Sequence, residues 1–259
     1  MNFIGIAAVV LSVVGFAVSH RLLRPRPVRV RVQCFCLFAL LAVPAVLFTV
    51  YYLHVLHDHE WLYTLRSWRG SEFLVVFLGC TGGAVAALMP RVLLTLPLFA
   101  VLVVGAVPYL KPVFVPLADD ELKNEWQGDA CLQSTASTCG PASVATILRH
   151  FGINTTERAV ARAAFSYSGG TEAWYLARVV RSYGLSARFV FEPTFSPEAG
   201  QPALVGVRLG RAGHFIAVLD VHDGQVTVAD PLGGESQMTL TQFKNAYDFT
   251  GFHMVVARR

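Results

Sequence analysis

The pattern of apolar and polar positions divides the chain in two. In residues 1–117, four runs (3–19, 34–53, 73–89 and 92–110) contain no Asp, Glu, Lys or Arg. Each approaches the roughly 20 helical residues that a hydrocarbon layer of about 30 Å requires. They predict four transmembrane helices, the last two separated only by Pro90-Arg91. From residue 118 onward the apolar runs are short. Helical spacing covers 141–151, 155–164 and 171–183, with Gly152 and Gly184 as stops. Runs rich in β-formers at 187–191, 203–209, 215–220 and 225–229 predict strands. Helices precede strands, the α+β order, and no internal repeat is visible.

Composition agrees with this division. Hydrophobic residues make up 54% of the 259 and charged residues 15%, against about 25% charged in an ordinary soluble domain. The chain is therefore neither disordered nor, as a whole, an ordinary soluble protein. Residues 1–117 hold nine Lys/Arg and three Asp/Glu, whereas 118–259 hold twelve and fourteen. The net charge of +4 thus resides in the apolar half, and no nucleic-acid partner is expected. Residues 118–259 suffice to bury a core of their own. The expected domains are 1–117, an all-α bundle of four transmembrane helices in the lipid bilayer, and 118–259.

The loop after the first run carries Arg21, Arg24, Arg26, Arg29 and Arg31 and no acid. Lys/Arg-rich short loops stay in the cytoplasm. That places the N-terminus outside, Arg91 inside and, after four crossings, residues 118–259 outside, at the outer face of a bacterial inner membrane. Tyr51, Tyr52, Trp61, Tyr63, Trp68 and Tyr109 then form an outer aromatic belt. Ala17-Val18-Ser19 has the look of a signal-peptide cleavage site, but no basic residue precedes the run. His54, His57 and His59 with Asp58 and Glu60 carry metal-ligand chemistry, although a polar loop at the water boundary accounts for them equally. Cys34, Cys36 and Cys80 read as small apolar packing residues. The Pro-stiffened junction 111–117 is expected to hold the second part near the membrane.

Chemistry concentrates between Gln133 and Ser143. A polar loop ends in Cys139 where a helix begins, and Pro141 suits a first helical turn. A cysteine there faces the positive helix terminus, which favours thiolate, the nucleophilic form. Its partner as acid and base is His214, which follows Gly213 and opens a strand. A third group should orient the imidazole, and Asp230 is the candidate. If the hairpin 215–229 turns about His222, then His214 and Asp230 face each other. A two-residue Asp223-Gly224 turn would instead put Asp230 on the face opposite His214. The catalytic reading requires the first register.

Gln133, then Cys139-Gly140-Pro141-Ala142, Gly170-Thr171, Gly213-His214-Phe215 and Ala229-Asp230-Pro231 together resemble the bacteriocin-processing, double-glycine-leader cysteine peptidases, over about residues 125–259. The resemblance implies a papain-like α+β cysteine peptidase domain. Cys139 would be the nucleophile, His214 the general base and acid, Asp230 the orienting acid and Gln133 the side-chain donor of an oxyanion hole. It implies a peptide or protein substrate and a secretion-system partner, and calls for no cofactor and no metal. Thr138 stands where the family usually has an acid before the cysteine. No Gly-x4-Gly-Lys-Ser/Thr loop occurs in these residues. Two other classes stay open: a catalytically idle binding module of the same fold, and a thiol acyltransferase. Cys131, eight residues before Cys139, raises a disulfide switch as a further expectation.

Overall fold

The computed structural model describes residues 2–53, 56 and 58–259. The chain forms two compact units. The first comprises residues 1–57 and 68–114. The second comprises residues 58–67 and 115–259, so a ten-residue segment from between the apolar runs belongs with the second.

In the first unit, α1 (Phe3–Leu23), α2 (Val28–Val50), α4 (Val75–Leu88) and α5 (Thr95–Ala106) are apolar over most of their length with no distinct polar face. Three of them, with their 3-10 extensions, are long and apolar enough to cross a membrane: Phe3–Leu23, Val28–Leu53 and Ser71–Leu88. The fourth expected span is shorter as a regular helix, with 12 residues in α5 and a 3-10 turn over Arg91–Leu93 before it. Helices α1 and α4 touch backbone to backbone. A Cβ on Gly79 would stand 1.9 Å from the Ser12 carbonyl oxygen, and one on Gly83 2.2 Å from that of Phe16. Glycines four apart are the usual means of such close approach in lipid. Ser12 Oγ donates to Val75 O at 2.9 Å and Thr49 Oγ1 to Val104 O at 2.7 Å. Of the three apolar-run cysteines, Cys80 lies against Gly15, whereas Cys36 is exposed rather than packed.

The second unit is α+β. Its main sheet comprises β3 (Leu185–Phe191), β4 (Ala203–Leu209), β5 (Ala212–His222), β6 (Gln225–Asp230), β7 (Gly234–Thr239) and β8 (Asp248–Arg258), in the order β3-β8-β4-β5-β6-β7 with antiparallel pairs. A small hairpin, β1 (Trp126–Gln127) with β2 (Ala130–Cys131), precedes it. The expected helices appear as α7 (Cys139–His150), α8 (Glu157–Ala163) and α9 (Ala173–Ser182). Gly152 (φ 80°) and Gly184 (φ 84°) take the left-handed conformation just past α7 and α9, where glycine carries no Cβ penalty. Helix α7 packs against β5 and is buried from Cys139 to Leu148. On the other face, Val205, Val207, Ile216, Val218, Val226 and Val228 form a core with Phe195 and with Phe243 of α10 (Leu240–Ala246). The pattern reading missed α10, β7 and β8. Yet Thr239 and Gln242 form a capping box, a signature readable as Thr-x-x-Gln.

His54 and His57 lie outside the described residues, and among the described residues no three His, Cys, Asp or Glu are grouped to hold a metal ion. Tyr63 is not an interfacial belt residue. It sits in α3 (Glu60–Arg66), is 6% exposed, and is enclosed by rings of the second unit.

His253 of β8 is buried at 1% exposure between Phe195 and Phe249, and neither ring nitrogen has a hydrogen-bond partner. Burial alone lowers its pKa from 6.5 to about 4. Between those values the unfolded chain binds the proton and the folded chain does not, so stability is full above pH 6.5 and falls toward pH 4. The loss over that window is on the order of 3 kcal/mol. Urea midpoints measured from pH 7 to pH 4 should fall for the native chain and fall markedly less for His253→Leu; equal slopes would count against this assignment.

Candidate active site

Cys139 is the first residue of α7 and is 9% exposed. The loop before it is tied into a turn: Thr138 N–H donates to Thr135 O at 3.2 Å, and Thr135 N–H to Thr138 Oγ1 at 3.1 Å. Thr138, fully buried, thus braces the loop just before the cysteine. Pro141 costs the helix nothing, because first-turn N–H groups have no intrahelical partner. Two features bind α7 to the strand that carries His214. Gly140 allows the close approach: a Cβ there would lie 2.9 Å from Leu176 Cδ1 and 3.3 Å from Phe215 Cδ2. One turn later, buried Ser143 donates through Oγ to Phe215 O at 3.1 Å.

His214, 6% exposed, faces Val207 across the β4–β5 ladder. Its Nε2 lies 2.9 Å from Asp230 Oδ1, and the Cys139 side chain is near enough to help raise its pKa. With Nε2 engaged by Asp230, Nδ1 is the nitrogen left for sulfur. The hairpin reaches this arrangement by neither simple register. The turn is the two-residue one, Asp223 (φ 49°) and Gly224 (φ 74°), with His222 opposite Gln225, as a two-residue turn with both central φ values positive dictates. A bulge between Val218 and Asp220 then shifts the pairing, so that Val218 meets Val228 and Ala217 meets Ala229. Continued by one residue, that register sets Asp230 level with Ile216, on the face of His214. One inserted residue reverses which face a strand position occupies.

Asp230 accepts three hydrogen bonds: His214 Nε2 and Leu232 N–H at Oδ1, both 2.9 Å, and Tyr247 Oη at Oδ2, 3.1 Å. Burial pushes its carboxyl up, but these donors outweigh burial and hold it below the usual carboxylate range. Burial also works against a charged His214. The bonds and charges of Asp230 and Cys139 overcome it, raising the imidazole to about 9. Burial and the Asp230 charge push the Tyr247 phenol up, so it remains a donor.

Gln133 is pinned beside this group, its N–H donating to Pro231 O at 2.9 Å. Its side-chain Nε2 donates to Thr135 O at 2.8 Å, and Oε1 is buried without a partner. An amide nitrogen has a second hydrogen, which is the one a substrate oxygen could receive. The neighbouring Ser134 is held by a residue that sequence reasoning passed over. Glu157 is fully buried, forms no ion pair among the described residues, and accepts from Ser134 N–H at 2.8 Å and from Ser134 Oγ. Gly170-Thr171 closes one side: Thr171 Cβ lies 3.7 Å from the Cβ position of Gly140, and Ser137 Oγ donates to Ser168 O. Cys131 takes no part. Both it and Cys139 are free thiols. The Cys131 N–H is held by Thr146 Oγ1, two turns along α7 from Cys139, and burial pushes its thiol up to about 12.

A family model for the peptidase C39 family matches residues 119–259. The chain belongs to that family. C39 membership accounts for a peptidase fold in the second unit and leaves the first unit, with segment 58–67, outside the matched region. An uncharacterized protein of Methanothermobacter marburgensis is 35% identical over 126 residues, 49% of this chain and 86% of its own length. Another from Methanothermobacter thermautotrophicus is 33% identical over 127 residues, 49% of this chain and 87% of its own. Among solved structures, the peptidase domain of Streptococcus ComA is similar (TM-score 0.44, 21% identity), with 49% of this chain and 96% of that one covered. So is a double glycine motif protease from an AMS/PCAT transporter in complex with its leader peptide (TM-score 0.42, 22% identity, 49% and 89% covered).

Of the residues sequence reasoning missed, Ser143 and Glu157 lie inside helices that were legible, and Tyr247 follows a helix that the capping box announces. None carries a local signal of its role, because each acts on a residue far away in sequence. If Asp230 and Cys139 hold the His214 proton, Asp230→Asn should lower the His214 titration from near 9 by more than one pH unit in imidazole NMR, and Tyr247→Phe should move it less. A His214 titration unchanged in Asp230→Asn would contradict the assignment.

Proposed function

We propose that the protein is a membrane-anchored cysteine peptidase that cleaves a peptide through Cys139, His214 and Asp230. The observation that carries this reading is the buried His214 ring, held at Nε2 by the Asp230 carboxylate at 2.9 Å and lying near Cys139 at the start of α7. The attacking form of the pair is thiolate and imidazolium. The sulfur attacks the scissile carbonyl carbon, and the C=O electron pair moves onto oxygen. The Cys139 backbone N–H and the second Gln133 side-chain N–H stabilise the oxyanion. As the carbonyl re-forms, the C–N bond breaks and His214 passes its proton to the leaving amine. The thioester left on Cys139 is hydrolysed by a water that His214 deprotonates, which returns the thiolate–imidazolium pair. Asp230 orients the ring and stabilises its charge throughout. Glu157 keeps Ser134, and through it Gln133, in place.

The anchor reading extends to four crossings. Segment 58–67 belongs to the same compact unit as residues 115–259, so both lie on one side of a bilayer. Between them the chain runs out through α4 and must return through α5. The apolar run beyond Arg91–Ala106, up to Leu110, supplies the added length. With the arginine-rich loop between α1 and α2 inside, the peptidase unit faces outward, near any partner that exports its substrate.

In purified protein, Cys139→Ala should abolish cleavage of a double-glycine peptide while circular dichroism stays native. Gln133→Ala should lower kcat roughly 10²–10³-fold. Retained cleavage in Cys139→Ala would falsify the mechanism. Cysteine reporters at residue 60 and near residue 259 should label from the same side of sealed vesicles; opposite-side labelling would exclude the four-crossing arrangement.

A further inference from the structure

The segment that joins the second unit from between the apolar runs is seated in a built socket. Within α3, Leu62 and Arg66 are 1% and 2% exposed. The Tyr63 ring lies 5.7 Å from Trp174, 5.3 Å from Phe189, 5.1 Å from Phe191 and 5.7 Å from Phe252. The Arg66 guanidinium stacks on Trp174 at 3.8 Å, a favourable contact once water is excluded. The carbonyl end of α3 meets two further guanidiniums. Arg178 donates to Arg66 O at 2.7 Å and Ser67 O at 3.2 Å, and Arg181 to Ser67 Oγ at 2.6 Å. Cations belong at a helix C-terminus. At the other end, Phe191 N–H donates to Glu60 Oε1 at 3.3 Å.

The socket backs onto the candidate active site. Phe252 also contacts Phe215 at 5.5 Å. Phe215 follows His214, packs at Gly140, and accepts the Ser143 bond through its carbonyl. Removing α3 would leave four aromatic rings and two arginines lining an empty hollow behind the strand and helix that present His214 and Cys139. The region that matches the C39 family, 119–259, does not contain the segment.

We propose that residues 58–67 are an internal ligand of the peptidase unit: a chain-borne clamp that holds it non-covalently to the N-terminal part and completes the packing behind His214 and Cys139. The catalytic half of the proposal rests on the peptidase reading; the clamp half does not.

The test uses the full chain in detergent, tagged at the N-terminus, with a site-specific protease sequence inserted between Leu117 and Ala118. After nicking, fragment 118–259 should remain on the tagged fragment through high-salt washes. An excess of synthetic peptide 58–67 should displace it, and the same peptide with Tyr63→Ala should not. Nicked chains carrying Tyr63→Ala should retain at least tenfold less of the fragment. The displaced fragment, washed free of peptide, should react with iodoacetamide at Cys139 at least tenfold more slowly than the intact chain, and re-added peptide 58–67 should restore the rate. Release of the native fragment on nicking alone, or failure of the peptide to displace it, overturns the clamp. A washed fragment that alkylates at the intact rate overturns the catalytic dependence. If Cys139 in the intact chain reacts no faster than a free thiol, the peptidase reading fails, while retention and displacement still judge the clamp.

Discussion

The second unit is organised around the largely enclosed carboxylate of Asp230. Asp230 receives an imidazole, a backbone N–H and a phenol, each from a different stretch of chain. A carboxylate out of water is costly unless donors replace its hydration. These three do so, and in doing so they fix where β6, the turn after it and the end of α10 stand with respect to β5. The same bonds hold the His214 proton. The carboxylate that holds the His214 ring is therefore also a joint of the fold, and it cannot loosen without leaving a charge unpaired.

Around that joint, close packing takes over from charge. Gly140 lets α7 pack tightly on Phe215, whose ring lies 3.3 Å from where a Cβ would stand, and Ser143 adds one hydrogen bond to the contact. Phe215 passes the packing to Phe252, and Phe252 to Tyr63. Protein interiors are dense enough that a missing ring is felt by its neighbours. In this unit the neighbours include the residues on either side of the candidate catalytic pair. The first unit uses the same device, with Gly79 and Gly83 admitting the backbone of α1.

The limits of local reasoning show most clearly in the β5–β6 hairpin. Asp223-Gly224 is a strong two-residue turn signal, and taken alone it sends Asp230 to the wrong face. The bulge at Leu219 restores it, and no residue there announces a bulge. Tyr63 shows the same limit. An aromatic residue between apolar runs looks interfacial, and only the assembled β3–β8 edge offers it a ring-lined socket.

Sequence alone determined what depends on neighbours along the chain: the uncharged runs, the helices and glycine stops of α7 and α9, the strands β3 to β6, and the choice of Cys139, His214, Asp230 and Gln133 as candidates for the chemistry. Period, capping and residue type are local properties, so they can be read locally. Tertiary structure decided the face on which Asp230 lies, the Tyr247 and Glu157 braces, and the membership of 58–67 in the peptidase unit. Each of those is a meeting of residues separated by tens of positions or more, settled by which buried surfaces and buried polar groups satisfy one another once the chain is compact.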